Sequence, residues 1–184
     1  MSSQIGNISG SVTLGGWCKT NITNEMTGSG GYGYIPLYAY SVTTNSTGLS
    51  SIITNIPPIE NSYIAVKFAN PSVAYPETSP GYFYNYNNKW VHIMFKWFYK
   101  AVQPYSNVQI YVNGTYQNEL AGDNAESGTI SSNRLCKVGG TSNFGGDSNL
   151  WKEGSFATLE AYDRALTSDE IYGNFYVSKS FYGY

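Results

Sequence analysis

Few residues in this chain could do covalent chemistry. Retaining glycoside hydrolysis needs two carboxyls about 5–5.5 Å apart. The nearest pair in the sequence is Glu160 and Asp163. Their odd spacing sends them to opposite faces of a regular strand, so they form no dyad. His92 is the only histidine, and no nucleophile stands at a spacing that would make it a general base; it reads as structural. Cys18 and Cys136 are the only thiols, and neither lies in a motif that would activate it. They could close one disulfide, worth about 2–4 kcal/mol, or pack as two buried free thiols, since cysteine behaves as a small hydrophobe. Two thiols and one histidine are too few for the usual structural zinc site. No catalytic residue is assigned.

Binding chemistry is better represented. Residues 139–151 form a loop rich in glycine and asparagine that carries Asn143, Asp147, Asn149 and Trp151. A ring beside amides and a carboxylate suits a sugar, whose apolar face stacks while its hydroxyls hydrogen-bond. Asp147 and Asn149 also offer the oxygen atoms that calcium, a hard ion, requires; no other cofactor is implied. The bland reading is an ordinary turn-forming loop. Tyr32, Tyr34, Tyr82, Tyr84 and Tyr86 form aromatic clusters. They read either as alternating core and sheet-surface residues or as a platform for a glycan or protein partner, with Tyr32 and Tyr34 assigned to the ligand. Sequons at Asn7, Asn21, Asn45 and Asn113 would mark exposed turns on an exported protein if glycosylated.

These groups must be held by strands. The run Trp90 to Phe98 is apolar or aromatic at almost every step. Val91, Ile93, Phe95 and Trp97 share one parity, and Trp90, His92, Met94, Lys96 and Phe98 the other. One face is wholly apolar and one mixed, which predicts a sheet packed on a core by one side. Val108, Ile110 and Val112 repeat the inward pattern, with Gln109, Tyr111 and Asn113 outward. Asn113-Gly114 is a strong signal for a two-residue hairpin turn.

Further strands are expected over residues 8–19, 34–42, 49–56, 62–68, 82–86 and 130–138. Pro36 argues for an edge or for the first residues of its strand. The last long strand is read over residues 155–162, with Ala157, Leu159 and Ala161 inward. Thr167-Ser-Asp-Glu170 fits a capping box, with acids in the first turn. Only a turn or two of helix is expected before Gly173-Asn174, followed by a closing strand or tail.

Taken together, Trp90-Val-His92-Ile-Met and Ile110-Tyr-Val-Asn-Gly114 resemble strands of the concanavalin A-like (laminin G-like) lectin/glucanase superfamily. Ser11 to Lys19, Val138-Gly139-Gly140 and Gly154 to Ile171 resemble its opening, its "i-G" strand end and its closing signature, in the family's order. The resemblance spans residues 11–175. It implies an all-β fold, a two-sheet antiparallel β-sandwich of jelly-roll type with one short helical turn near the C-terminus. One domain is expected over residues 1–184, with its core at about 8–177. The superfamily holds binders, hydrolases and structural modules. This chain lacks the Glu-x-Asp-x-x-Glu motif of the glucanase branch, so no enzyme activity is expected.

Composition narrows the partners. Charged residues are 12% of the chain and the net charge is −2, which argues against electrostatic capture of nucleic acid. No run approaches the roughly 20 apolar residues of a membrane span, and Met1 to Gly6 lacks the basic start and apolar run of a secretory leader. Eighteen tyrosines, with abundant serine, threonine and asparagine, suit work outside a cell or on a virion surface. The expected function is a non-catalytic recognition module for a glycan or cell-surface ligand. The alternative is a structural capsid, spike or fibre component that self-assembles or contacts other surface proteins.

Overall fold

The computed structural model describes residues 2–5, 11–21, 33–41, 49–55, 63–68, 78, 82–98, 107–120, 134–138 and 154–184. Eleven strands in two antiparallel sheets account for most of them. They are β1 (Ser2–Ile5), β2 (Val12–Thr20), β3 (Gly33–Ser41), β4 (Leu49–Asn55), β5 (Tyr63–Phe68), β6 (Trp90–Phe98), β7 (Asn107–Val112), β8 (Thr115–Leu120), β9 (Arg134–Val138), β10 (Gly154–Phe156) and β11 (Glu160–Tyr162). One sheet runs β1-β9-β3-β4-β5 and the other β10-β2-β6-β7-β8, with β11 also pairing to β2. The result is the expected jelly-roll sandwich. Pro36 lies in the first half of β3, where only β4 is paired; the ladder to β9 starts at Tyr38. A missing N–H costs little there.

The β2–β6–β7 sheet is the core of the described molecule. Register sets Leu14 opposite Phe95 and Cys18 opposite Val91, and Phe95 opposite Ile110. These residues, with Val12, Ile93, Trp97, Val108 and Val112, are buried and form the face turned to the other sheet. The opposite face was expected to be mixed and solvated. Instead Thr13, Trp17, His92, Met94, Lys96 and Tyr111 on it are also buried. The cover comes from the C-terminal segment.

That segment departs most from expectation. Helix α1 runs Ser168–Ser178, straight through Gly173-Asn174, and ends in a 3-10 turn at Lys179–Tyr182 rather than in a strand. Its start is the expected capping box: Thr167 and Glu170 satisfy each other's backbone N–H groups. It persists because Ile171 and Phe175, four residues apart, are both buried against the sheet; burying such side chains is worth about 1.5–3 kcal/mol each, more than the roughly 1 kcal/mol that a helical glycine costs. Thr13 fixes the approach: its hydroxyl donates to the Arg164 carbonyl at 2.9 Å and accepts from the Leu166 N–H at 2.9 Å.

The expected strand 155–162 is broken in two. Phe156 pairs with Cys18 and Glu160 with Gly15, so three residues on one side face two on the other. That extra residue is a β-bulge, held by the Ala157 N–H donating to the Trp17 carbonyl and the Trp17 N–H donating to the Thr158 hydroxyl. Alternation read through a bulge misplaces one half. Ala157, Leu159 and Ala161 are exposed rather than inward, while Glu160 and Tyr162 turn toward the helix and are half-buried. Residues 83–86, read as an aromatic strand, form a 3-10 turn. The Asn113-Gly114 hairpin is as expected, with φ of 51° and 74°.

Candidate functional site

The assigned site residues fall mostly outside the described part of the chain. Asn143, Asp147, Asn149, Trp151 and Tyr32 lie beyond it, as do Asn7 and Asn45. Tyr34 is placed by its backbone, opposite Thr54 in the β3–β4 ladder. Cys18 is a free, buried thiol on β2, and burial pushes its ionisation upward; Cys136 is on the other sheet and its side chain lies outside the described residues. Asn21 is exposed at the end of β2. The Asn113 amide is engaged at both ends: it accepts from the His92 N–H at 3.0 Å and donates to the Tyr184 hydroxyl at 3.2 Å. Among the described residues no cluster of three His, Cys, Asp or Glu side chains could hold a metal.

The residues with chemistry are brought together elsewhere, in two places. One is a polar chain under the helix. His92 Nε2 lies 3.0 Å from Glu160 Oε1, and Asn174 Nδ2 donates to Glu160 Oε2 at 3.1 Å and to the Tyr162 hydroxyl at 2.8 Å. A carboxylate only accepts, so the proton of this contact belongs to His92 Nε2. The imidazole is wholly buried, and its Nδ1 has no partner among the described residues. Both Glu160 oxygens are committed to structural partners. Asp163 lies past the end of β11 and is exposed.

The second place is a cleft of about 380 Å³ at the end of β2 and the start of β6, within the ~300–1,000 Å³ range of small-ligand sites. Its floor is Trp90, directly opposite Lys19 in the β2–β6 register, so both side chains rise on one face. One wall is the 3-10 turn ending at Tyr86 and the bend that follows. Asn88 there takes a left-handed φ of 57°, which asparagine tolerates better than most residues, and its N–H donates to the Thr20 carbonyl at 2.7 Å. The bend places Asn88 and Lys89 on the rim.

The opposite wall is the C-terminal tail. Tyr182 stacks on Trp17, with centroids 4.2 Å apart, and tilts against Trp90 at 5.2 Å. The Tyr184 hydroxyl donates to the Trp90 carbonyl at 2.7 Å. Partial burial raises the ionisation of that phenol above its ordinary value, so it stays protonated as this donor. The cleft is therefore lined by four rings, two side-chain amides (Asn85 and Asn88) and two ammonium groups.

Sequence reading missed this cleft because its walls come from distant segments. The dense run Tyr86-Asn-Asn-Lys-Trp90 was the available signal: ring, amide and cation within five positions, read only as a turn into a strand. Tyr182 and Tyr184 were read as part of a closing strand or a tail.

No protein-family model and no curated protein matches the chain. Solved structures with similar folds do. The native heptameric SAP-like pentraxin of Limulus polyphemus matches at 14% identity over 92% of this chain and 71% of that one, with a TM-score of 0.64. The binding domain of Paraclostridial Mosquitocidal Protein 1 matches at 18% identity, over 94% of this chain and 39% of that one, with a TM-score of 0.59. The CBM40 of a Ruminococcus gnavus IT-sialidase, bound to α2,3 sialyllactose, matches at 13% identity over 95% and 96%, with a TM-score of 0.57. At such identities the likeness carries the fold alone: this chain has a jelly-roll β-sandwich fold of the concanavalin A-like type.

Proposed function

We propose that the protein is a non-catalytic recognition module and that the cleft over Trp90 binds a glycan. The observation that carries this reading is the composition of the cleft wall. The rings of Tyr86, Trp90, Tyr182 and Tyr184 converge with amide and ammonium donors in one concavity. Apolar stacking surface with a few convergent polar groups is the general form of a small-ligand site. Similarly folded proteins include a CBM40 bound to sialyllactose and toxin binding domains, which supports recognition over catalysis. The same reading puts the protein's work outside the cell or on a particle surface. The loop carrying Asn143, Asp147, Asn149 and Trp151, with Tyr32 and Tyr34, would supply further ligand contacts. Calcium held by Asp147 and Asn149 would be ancillary, and a rise in melting temperature on adding calcium tests it.

The direct test is a glycan array followed by titration calorimetry of the wild type, Trp90→Ala and Tyr182→Ala. Loss of a stacking ring should weaken binding at least tenfold. Binding unchanged in both variants would remove the cleft from the reading.

One observation favours an assembly role as the second reading. Tyr172, Tyr176, Val177 and Phe181 are 50%, 56%, 72% and 82% exposed along the helix and its 3-10 extension. Apolar groups left open in a row mark contact surfaces in other proteins. Sedimentation velocity over a wide concentration range tests this: Val177→Asp with Phe181→Asp should abolish any large species.

A further inference from the structure

The cleft's charge narrows its ligand. We infer that it selects an acidic saccharide, one carrying a carboxylate or sulfate group, which Lys19 and Lys89 hold beside the Trp90 ring. This rests on the glycan reading of the cleft.

The chain as a whole is acidic, with 12 acidic against 10 basic residues. Among the described residues the cleft reverses that sign: the charged side chains that line it are both lysines, with no Asp or Glu. The two ammonium groups are placed differently. Lys19 is fixed by β2 and stands across from Trp90 in the ladder, where cross-strand side chains on one face are immediate neighbours. It is half-buried, and among the described residues no Glu or Asp forms an ion pair with it. Lys89 sits on the exposed bend and reaches back to the Asn85 carbonyl at 3.1 Å. A backbone carbonyl leaves its positive charge uncompensated. The Tyr184 hydroxyl and the Asn88 amide add neutral polar groups on opposite walls. A ring stacked on Trp90 would thus have the half-buried Lys19 on one side and the exposed Lys89 on the rim, two cations that an anionic substituent on a sugar could meet.

The test is binding by the intact chain to three probes: sialyllactose, a sulfated lactose and neutral lactose. Each is titrated at low and high salt against the wild type, Lys19→Met and Lys89→Gln, with Trp90→Ala as the site control. Methionine keeps the apolar stem of Lys19, and Lys89 is exposed, so both variants should fold; circular dichroism and melting confirm it. Acidic probes should bind tighter than lactose. Each lysine variant should weaken them about fivefold, as a solvent-screened charge contact does, and raised salt should reduce the advantage. Lactose binding should be weakened less by either lysine variant than binding of the acidic probes is, and its response should not depend on salt. Preference for sialyllactose identifies the carboxylate as the recognised group, and preference for the sulfated sugar identifies the sulfate. Trp90-dependent binding in which acidic and neutral probes are equal would overturn the charge inference while leaving the cleft reading intact. No binding of any probe, or binding indifferent to Trp90, would overturn both.

Discussion

Trp17 and Tyr182 stack with centroids 4.2 Å apart and planes inclined by 23°. Trp17 is fully buried in the sheet, and its indole N–H donates to the Ser178 hydroxyl at 2.9 Å. Tyr182 is thereby both the lid of that tryptophan and the wall of the cleft. Core packing and the wall of the cleft share one ring, so the cleft depends on the docking of the tail on the sheet. Tyr182→Ala should therefore lose stability as well as binding, by about 3–5 kcal/mol if the ring behaves as a core aromatic and less if solvent refills its place. Tyr182→Phe should be close to wild type in stability. Urea denaturation checks both; an alanine variant of wild-type stability would show that the tail does not seal Trp17.

Glu160 is the acceptor for the one buried imidazole. Removing it leaves His92 with neither ring nitrogen satisfied among the described residues, where Nδ1 already lacks a partner. Glu160→Ala should cost about 1–3 kcal/mol, the penalty for an orphaned buried polar group. The double variant with His92→Leu should recover part of that loss, as an apolar pair has nothing to leave unsatisfied. Independent, additive effects in this cycle would mean that the contact carries no coupling.

Gly16 has φ of 141°, and a Cβ there would run into the Thr158 carbonyl at the bulge. Gly16→Ala should destabilise by at least ~1–3 kcal/mol through backbone strain, with the clash in addition. A variant melting within a degree of wild type would refute the bulge geometry.

The Arg164 guanidinium grips Glu170 through two bonds of 2.8 and 2.6 Å, and with the Thr167 N–H it pulls the Glu170 carboxyl from 4.5 down to about 2. The folded value lies below the unfolded one, so the stabilisation is complete above about pH 5 and is lost as pH falls toward 2. Melting temperature should decline over that window, and Glu170→Gln should flatten part of the decline. The effect should be small, because both side chains are substantially exposed and screened. Identical pH profiles for the two proteins would show that the pair does not matter.

Burial pushes the Cys18 thiol upward, so it should resist alkylation in the native protein at neutral pH. Denaturant without reductant should expose it to labelling, read by peptide mass spectrometry. Labelling that appears only after reductant would instead mean a disulfide to Cys136.

Much of the sandwich was legible in local patterns. Two-residue alternation over 90–98 and 108–112, Asn113-Gly114 and the Thr167–Glu170 box are short-range signals, and each sets a strand, turn or helix start by sterics and hydrogen bonding among near neighbours. What alternation could not carry was the second face of the β2–β6–β7 sheet. Lys96, His92 and Tyr111 look solvated by residue type, yet all are buried beneath a segment some fifty or more positions later. Helix α1 likewise outruns its sequence signals because Ile171 and Phe175 find the sheet, an energy absent from any local window.

The sequence by itself determined the central strands, the hairpin and the class of fold, since these follow from side-chain period and backbone preference. Only the tertiary structure decided which rings, amides and cations gather in one cleft. Lys19, Tyr86, Trp90 and Tyr182 are brought to one hollow by a strand register and by a tail docking on Trp17, and no spacing along the chain encodes distances set by the packing of a third element.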